Sequence, residues 1–185
     1  MKYCYILIAG TLLLFSCSST KVQKPLENIE EISEVQDIEI TEQSPEDLEY
    51  ERSTLNVDIS YDEFNSDKNT ILKIIDEMNK IIEKRDYNAW VTYLDMDSAA
   101  YWSKRPNLQK AASKLPVKGI KLTNLHDYFI YVFLQSRKGY TVDEIRYENR
   151  NLVKAVQVAQ ETDIVYYMFK KINDEWKLHL PELTN

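Results

Sequence analysis

The chain has 185 residues, enough for one domain with appendages, and 44% of them are hydrophobic, so it can bury a core. Both cysteines, Cys4 and Cys17, lie in the first seventeen residues. The rest of the chain can therefore form neither a disulfide nor a thiolate metal site. The net charge of −7 argues against a nucleic-acid partner.

The first sixteen residues have the composition of an export signal. Lys2 supplies a positive charge, and residues 3–15 are almost wholly apolar. A helix of that length rises about 20 Å, whereas a bilayer core needs about twenty apolar residues. The segment is too short to span well, and it has the size of the apolar region of a signal peptide.

Residues Leu14-Phe15-Ser16-Cys17 follow that apolar run. They resemble the lipobox of bacterial lipoproteins, which has an aliphatic residue at −3 and a small residue at −1, although Phe15 departs from the pattern at −2. The resemblance implies cleavage before Cys17 and a diacylglyceryl thioether on its sulfur. We therefore expect a lipid-anchored protein of the bacterial cell envelope. The alternative is a plain secretory signal with an incidental cysteine.

Residues 17–66 are strongly acidic. Residues 21–66 contain fourteen acidic and three basic residues, and their apolar residues are isolated. Such composition is typical of a solvated, unfolded segment. We expect a flexible tether, in which only residues 55–59 can pair as an edge strand.

The period of apolar residues predicts helices after the tether. A helix starting at Ser66 or Asp67 would carry one apolar stripe, at Ile71, Ile74, Ile75, Met78, Ile81 and Ile82. Asp86 can cap a second helix, and a third short helix runs through Ala99, Tyr101 and Trp102. Thr123 or Asn124 caps a further helix that ends near residues 137–139.

The pattern changes to strands after Gly139. Residues 141–149, 152–160, 164–172 and 175–180 are rich in Val, Ile, Tyr and Phe, with polar turns between them. The third of these is apolar on both faces, so we expect it inside the sheet. Helices followed by consecutive antiparallel strands indicate the α+β class.

Two segments, residues 85–90 (RDYNAW) and residues 165–178, together with the order of the elements, resemble the NTF2-like (cystatin-like) superfamily. The resemblance covers about residues 65–181, so residues 67–185 are interpreted as an NTF2-like domain. It implies helices packed on a curved antiparallel sheet around a pocket, and it allows a homodimer, because members often pair through the open sheet face. Another small α+β fold with helices on one face is the alternative.

The sequence offers no convincing catalytic set. His126 and His179 are its two histidines, and no zinc, phosphate-loop or nucleophile-elbow motif is present, so we expect no metal and no cofactor. We expect His126 in the first turn of a helix and His179 facing solvent or at a rim. The carboxylates available to an isomerase-like site are Asp76, Asp95 and Asp97.

An aromatic set is the candidate ligand site. It consists of Trp90, Tyr93, Tyr101, Trp102 and Tyr128, which can line an apolar cavity with polar tips. Ordinary core packing is the alternative. Arg137 is interpreted either as a cation at a helix C-terminus or as an anion contact at the mouth of the pocket.

These observations favour a non-enzymatic envelope lipoprotein whose domain binds a small ligand or another envelope protein. The first alternative is an NTF2-like enzyme of the isomerase, cyclase or dehydratase type that acts on a small apolar substrate. A large pocket around an ionisable group would favour the enzyme, and a filled interior would argue against it. The second alternative is an adhesin or other protein exposed at the cell surface, which protease treatment of intact cells would distinguish.

Overall fold

The computed structural model describes residues 44–137, 139, 141–159 and 162–183. The predicted signal peptide, Cys17 and the tether up to residue 43 lie outside these residues. The described part contains six α-helices and an open, four-stranded antiparallel sheet. The predicted α+β class is confirmed.

Helix α1 (Pro45–Thr54) occupies part of the predicted tether. Ser44 caps it, since the Ser44 hydroxyl accepts from the Asp47 amide and the Asp47 carboxylate accepts from the Ser44 amide. Pro45 suits the first turn because its missing amide has no partner there.

Side chains of α1 join it to the rest of the fold. The Ser53 hydroxyl is buried and donates to the Ile145 carbonyl at 2.6 Å, and the Tyr50 hydroxyl donates to the Ile59 carbonyl at 2.5 Å. Residues 44–66 are therefore folded, and the prediction of a tether is wrong for them. No strand forms at residues 55–59, because Leu55 ends α1 and Ile59 packs into the core.

Helix α2 (Tyr61–Lys84) is 24 residues long and starts earlier than predicted. Ser60 is its cap, with the hydroxyl accepting from the Glu63 amide. Its buried side is formed by Phe64, Asp67, Ile71, Ile75, Met78 and Ile81. The predicted apolar stripe is therefore buried at four of its six positions, and Ile74 and Ile82 are partly buried against the core. Asp67 is a buried residue within the helix and not its cap.

Three shorter helices follow: α3 (Tyr87–Tyr93), α4 (Met96–Trp102) and α5 (Arg105–Lys114). Asp86 caps α3 as predicted, through a bond from the Ala89 amide. The predicted third helix corresponds to α4. Helix α5 was not predicted; its Leu108 and Ala111 are buried.

Helix α6 (Leu125–Tyr128) is capped by Asn124, as predicted, and changes its hydrogen bonding as it continues. It passes into a π-helical segment (Phe129–Phe133) and then a 3-10 turn (Gln135–Arg137). The Leu134 amide donates to the Phe129 carbonyl at 2.9 Å across five residues. This widened turn is a local irregularity of a kind often found at functional sites.

The strands are β1 (Glu144–Asn149), β2 (Leu152–Gln157), β3 (Ile164–Ile172) and β4 (Glu175–His179), in that order across the sheet. Strand β3 is an interior strand, as predicted. Asn173 and Asp174, with φ of 51° and 64°, form the tight turn between β3 and β4.

One face of the sheet packs on the helices, and the other carries ion pairs. The packed face carries Ile145, Tyr147, Val153, Ala155, Tyr167, Phe169, Trp176 and Leu178, all buried. On the other face Lys154 pairs with Glu148 and Lys177 pairs with Glu175. Among the helices described, none combines the length and the apolar composition that crossing a bilayer requires.

Candidate functional site

The predicted aromatic ligand set is divided between the core and the surface. Trp90 is fully buried, with its ring 4.9 Å from that of Phe129 and 5.0 Å from that of Phe133. Trp102 and Tyr128 pack against each other at 4.4 Å between ring centres. These positions are those of core residues, so a ligand role for them stays a prediction.

The two remaining tyrosines of the set lie nearer the surface. Tyr93 and Tyr101 are half-buried, and the Tyr101 hydroxyl accepts from the Leu183 amide at 3.2 Å.

Burial raises the pKa of Tyr128 to about 12, against a smaller opposing effect of Arg137. Tyr128 is therefore neutral at physiological pH.

Asp67 forms a buried polar cluster that joins α2 to three strands. One carboxylate oxygen accepts from the Trp176 indole at 2.9 Å, and the other accepts from the Tyr147 hydroxyl at 2.8 Å. The Lys171 ammonium lies 3.0 Å away. Burial, together with the Asp67 carboxylate, raises the pKa of Tyr147. Because both oxygens are occupied, this cluster is structural.

Asp95 forms a second buried cluster, between α4 and β4. Its carboxylate accepts from the Ser98 amide at 2.9 Å and the Ser98 hydroxyl at 2.5 Å, and His179 Nδ1 lies 2.9 Å away. Burial disfavours ionisation of Asp95, but the hydrogen bonds from His179 and Ser98 outweigh it and lower the pKa to about 2.

His179 was predicted to face solvent or a rim, but it is half-buried against this cluster. The reason is that the chain between α3 and α4 runs alongside β4, where the Asp95 amide donates to the Leu178 carbonyl at 3.0 Å. Ser98 and Asp95 both approach the same ring nitrogen. A serine nucleophile and an orienting acid would need opposite nitrogens, so the cluster is not a hydrolase triad.

The candidate functional site is a cleft of about 220 Å³ beside Arg137, which we call the Arg137 cleft. Its walls come from α2, from the chain before β1 and from β3. They are lined by Leu72, Ile75, Asp76, Asn79, Arg137, Thr141, Val142, Tyr166 and Tyr167. Among the described residues, apolar and polar groups are thus mixed around the guanidinium of Arg137.

Arg137 is held in place by groups that do not neutralise it. Its Nε donates to the Tyr166 carbonyl at 3.1 Å, and Nη1 donates to the Ser136 hydroxyl at 2.5 Å. The guanidinium carbon lies 4.4 Å from the ring centre of Phe133 and 5.5 Å from that of Tyr167. Both distances are within range of a cation–π contact.

The guanidinium of Arg137 is half-buried and forms no ion pair with a carboxylate of the described residues. Burial lowers its pKa, while Tyr128 and Tyr167 act in the opposite direction. Arginine keeps its charge in proteins even so. Asp76 lines the same cleft but is exposed and lies beyond ion-pair distance. Among the described residues, the cleft therefore holds a half-buried cation that has no ion-pair partner.

Such an arrangement can bind the anionic group of a small molecule. Arginine has five N–H donors in a planar fork that matches a carboxylate, and two of them are used by Tyr166 and Ser136. Leu72, Ile75 and Val142 can contact an apolar body. Since 220 Å³ is small for a ligand pocket, we expect a small ligand or one end of a larger one.

The sequence pointed to Arg137 and to Asp76 separately, but not to their sharing one cleft. For Arg137 it left two interpretations, a cation at a helix C-terminus or an anion contact at the mouth of a pocket. Asn79, Thr141 and Tyr166 come from three separate elements, and nothing in the local pattern marks them as neighbours. Among the residues described, no three His, Cys, Asp or Glu side chains are placed to hold a metal ion.

Comparison with known proteins finds similarity to a lipoprotein. A protein described as an uncharacterized lipoprotein of Treponema pallidum (strain Nichols) is 29% identical over 178 residues, which cover 96% of this chain and 91% of the relative. This similarity supports the prediction that the chain is a bacterial lipoprotein. No family model and no solved structure matches the chain.

Proposed function

We propose that this protein is an envelope lipoprotein, anchored by acyl chains on Cys17, whose folded domain is a binding module without catalytic activity. The support for the anchor is the short apolar leader, the lipobox-like residues 14–17 and the relative described as a lipoprotein. Each buried methylene of an acyl chain contributes about 0.8 kcal/mol, so two chains are enough for stable anchoring.

We assign the domain to the NTF2-like type. The support is a 24-residue helix and two short ones, α3 and α4, that precede a four-stranded antiparallel sheet packed on one face. The domain includes α1, because Ser53 and Tyr50 join that helix to the rest of the fold.

The ligand is a small molecule or protein group that carries a carboxylate, and it binds at the Arg137 cleft. The single observation behind this is the half-buried guanidinium with no carboxylate partner among the described residues. A free carboxylic acid and an acidic group of an envelope protein share this chemistry. An enzyme is less well supported, since the oxygens of Asp67 and Asp95 are occupied and Asp76 is exposed.

Mass spectrometry of the protein purified from membranes tests the anchor. The expected mature chain begins at residue 17 and carries the added mass of a diacylglyceryl group. Cys17→Ala should abolish both cleavage and acylation, whereas Cys4→Ala, in the leader, should change neither. A native chain that still begins at Met1, or that has an unmodified sulfur on Cys17, would contradict the anchor.

Calorimetric titration with butyrate tests the cleft, and inorganic phosphate serves as the competing anion. We expect saturable butyrate binding that Arg137→Gln weakens at least tenfold, in keeping with the loss of a charge-assisted bidentate contact. Arg105→Gln is the matched control, because Arg105 is an exposed arginine elsewhere in the fold. An equal loss of butyrate affinity in both variants would show that the effect comes from the net charge of the protein and not from the cleft. If phosphate bound more tightly than butyrate, the proposed ligand group would be a phosphate and not a carboxylate.

A further inference from the structure

Residues 104–121, which form α5 and the loop after it, are unusually basic. They contain six basic residues and no acidic one: Lys104, Arg105, Lys110, Lys114, Lys118 and Lys121. Over residues 67–185 the excess of basic over acidic residues is only three. The positive charge of the domain is therefore concentrated in this basic segment.

All six side chains are exposed. Lys104, Arg105, Lys114, Lys118 and Lys121 form no ion pair within the described part of the chain, unlike the lysines of the sheet. Lys110 and Lys114 are four residues apart on α5, so they lie on the same side of the helix, whereas Leu108 and Ala111 of this helix are buried.

An apolar feature lies within the same segment. Val117 is 61% exposed, and it borders a groove of about 440 Å³. The groove is lined by Leu115, Pro116, Val117, Ile120, Tyr131, Val132, Gln135 and Ser136. An exposed apolar residue next to lysines is the composition of surfaces that lie in the headgroup region of a bilayer.

We propose that the basic segment docks the domain on the anionic phospholipid surface of the membrane that carries its anchor. This inference rests on the lipid-anchored part of the proposed function. About 27 residues separate Cys17 from α1, so the two lie at most about 90–100 Å apart even at full extension of the chain. The anchor would keep the basic segment close enough to meet the surface repeatedly.

The chain also contains a competing partner. Residues 27–42 carry seven acidic groups and could pair with the lysines in cis. A bilayer is favoured because it offers both anionic headgroups for the lysines and an apolar layer for Val117. The acidic segment satisfies only the charges.

Vesicle sedimentation tests the inference with the chain from residue 17, bearing Cys17→Ala so that no acyl group contributes. The vesicles are phosphatidylcholine alone or mixed with phosphatidylglycerol. We expect binding to the mixed vesicles and not to the neutral ones. Each lysine near an anionic surface is worth roughly fivefold in partitioning. Replacing Lys114, Lys118 and Lys121 together by Gln should lower partitioning to the mixed vesicles at least tenfold.

The triple variant Lys73, Lys80 and Lys84→Gln on α2 removes the same charge and should lower partitioning less than twofold; these lysines are exposed. Equal losses in both triple variants, or no binding to anionic vesicles, would overturn the proposal. The proposal would also be overturned if Lys114 and Lys118 were protected from amine labelling without vesicles and neutralising the acidic residues of 27–42 removed that protection. None of these results depends on acylation, so the anchor is tested separately.

Discussion

Asp67 and Arg137 are charged side chains set among aromatic rings, but they are partnered in different ways. Asp67 is buried and its two oxygens accept from Trp176, Tyr147 and Lys171. Arg137 is half-buried and meets a carbonyl, a hydroxyl and two rings, without a carboxylate among the described residues. A complete set of partners marks a group that holds the fold together. An incomplete set marks a group with capacity for a ligand.

The largest expected effect is at the complete cluster. Asp67→Ala leaves the Lys171 ammonium, the Tyr147 hydroxyl and an indole N–H without their acceptor in a buried site. We expect a loss of about 3 kcal/mol in the free energy of unfolding, measured with urea. Glu83→Ala, at an exposed position of the same helix, should change it by less than about 0.5 kcal/mol. Similar changes in the free energy of unfolding for the two variants would contradict the structural role of the cluster.

The cluster at Asp95 predicts a loss of stability in acid. Because the folded-state pKa of Asp95 is about 2, below its ordinary value of about 3.9, ionised Asp95 stabilises the fold above pH 4. That contribution falls as the pH drops from 4 to 2. Between these values the wild-type protein should lose about 1–2 kcal/mol more than Asp95→Asn. Parallel curves for the two proteins would contradict the assigned pKa.

A smaller effect is expected where α1 meets the sheet. Ser53→Ala removes the buried hydrogen bond to the Ile145 carbonyl and should cost about 1 kcal/mol of unfolding free energy. Ser113→Ala is the control, because that hydroxyl is exposed and bonds only within its own helix. If Ser53→Ala were neutral, α1 would not be part of the cooperative unit.

The smallest expected effect on stability is at the Arg137 cleft. Arg137→Met keeps the apolar stem against Phe133 and removes a desolvated charge, so the free energy of unfolding should change by no more than about 1 kcal/mol in either direction. Chemical denaturation of Arg137→Met and Asp67→Ala under the same conditions compares the two sites directly. A loss of about 3 kcal/mol in the free energy of unfolding would show that Arg137 stabilises the fold as Asp67 does.

Local pattern was enough to predict the elements whose stability is locally encoded. The apolar stripe of α2, the Asp86 cap and the four strands follow from periods of 3.6 and 2 and from short turns. The turn at Asn173 and Asp174 is of the same kind. In these elements the residues that decide the conformation are near one another in sequence.

The errors arise where distant residues decide the outcome. Helix α1 is acidic and weakly apolar, and it is held by Ser53 and Arg52, which bond to residues 92 positions away. Asp67 has the chemistry of a helix cap, but its partners lie 80 or more positions along the chain. The start of α2 was detectable, because Ser60 and Glu63 have the spacing of a capping box.

The candidate site shows the same limit. Arg137 stood out because it ends an apolar helix. Its lack of a carboxylate partner and the cleft around it depend on how α2, β3 and the chain before β1 come together. Patterns within single elements carry no information on that arrangement.

Binding at the Arg137 cleft is followed most closely by the NMR signals of the Arg137 guanidinium N–H groups, including those of Nη1 and Nη2, during titration with butyrate. We expect a saturable shift of these signals, with the guanidinium signals of Arg105 unmoved. An Arg137 signal that stays in place while butyrate binds elsewhere, or that moves no more than that of Arg105, would contradict the assignment of the cleft as the binding site.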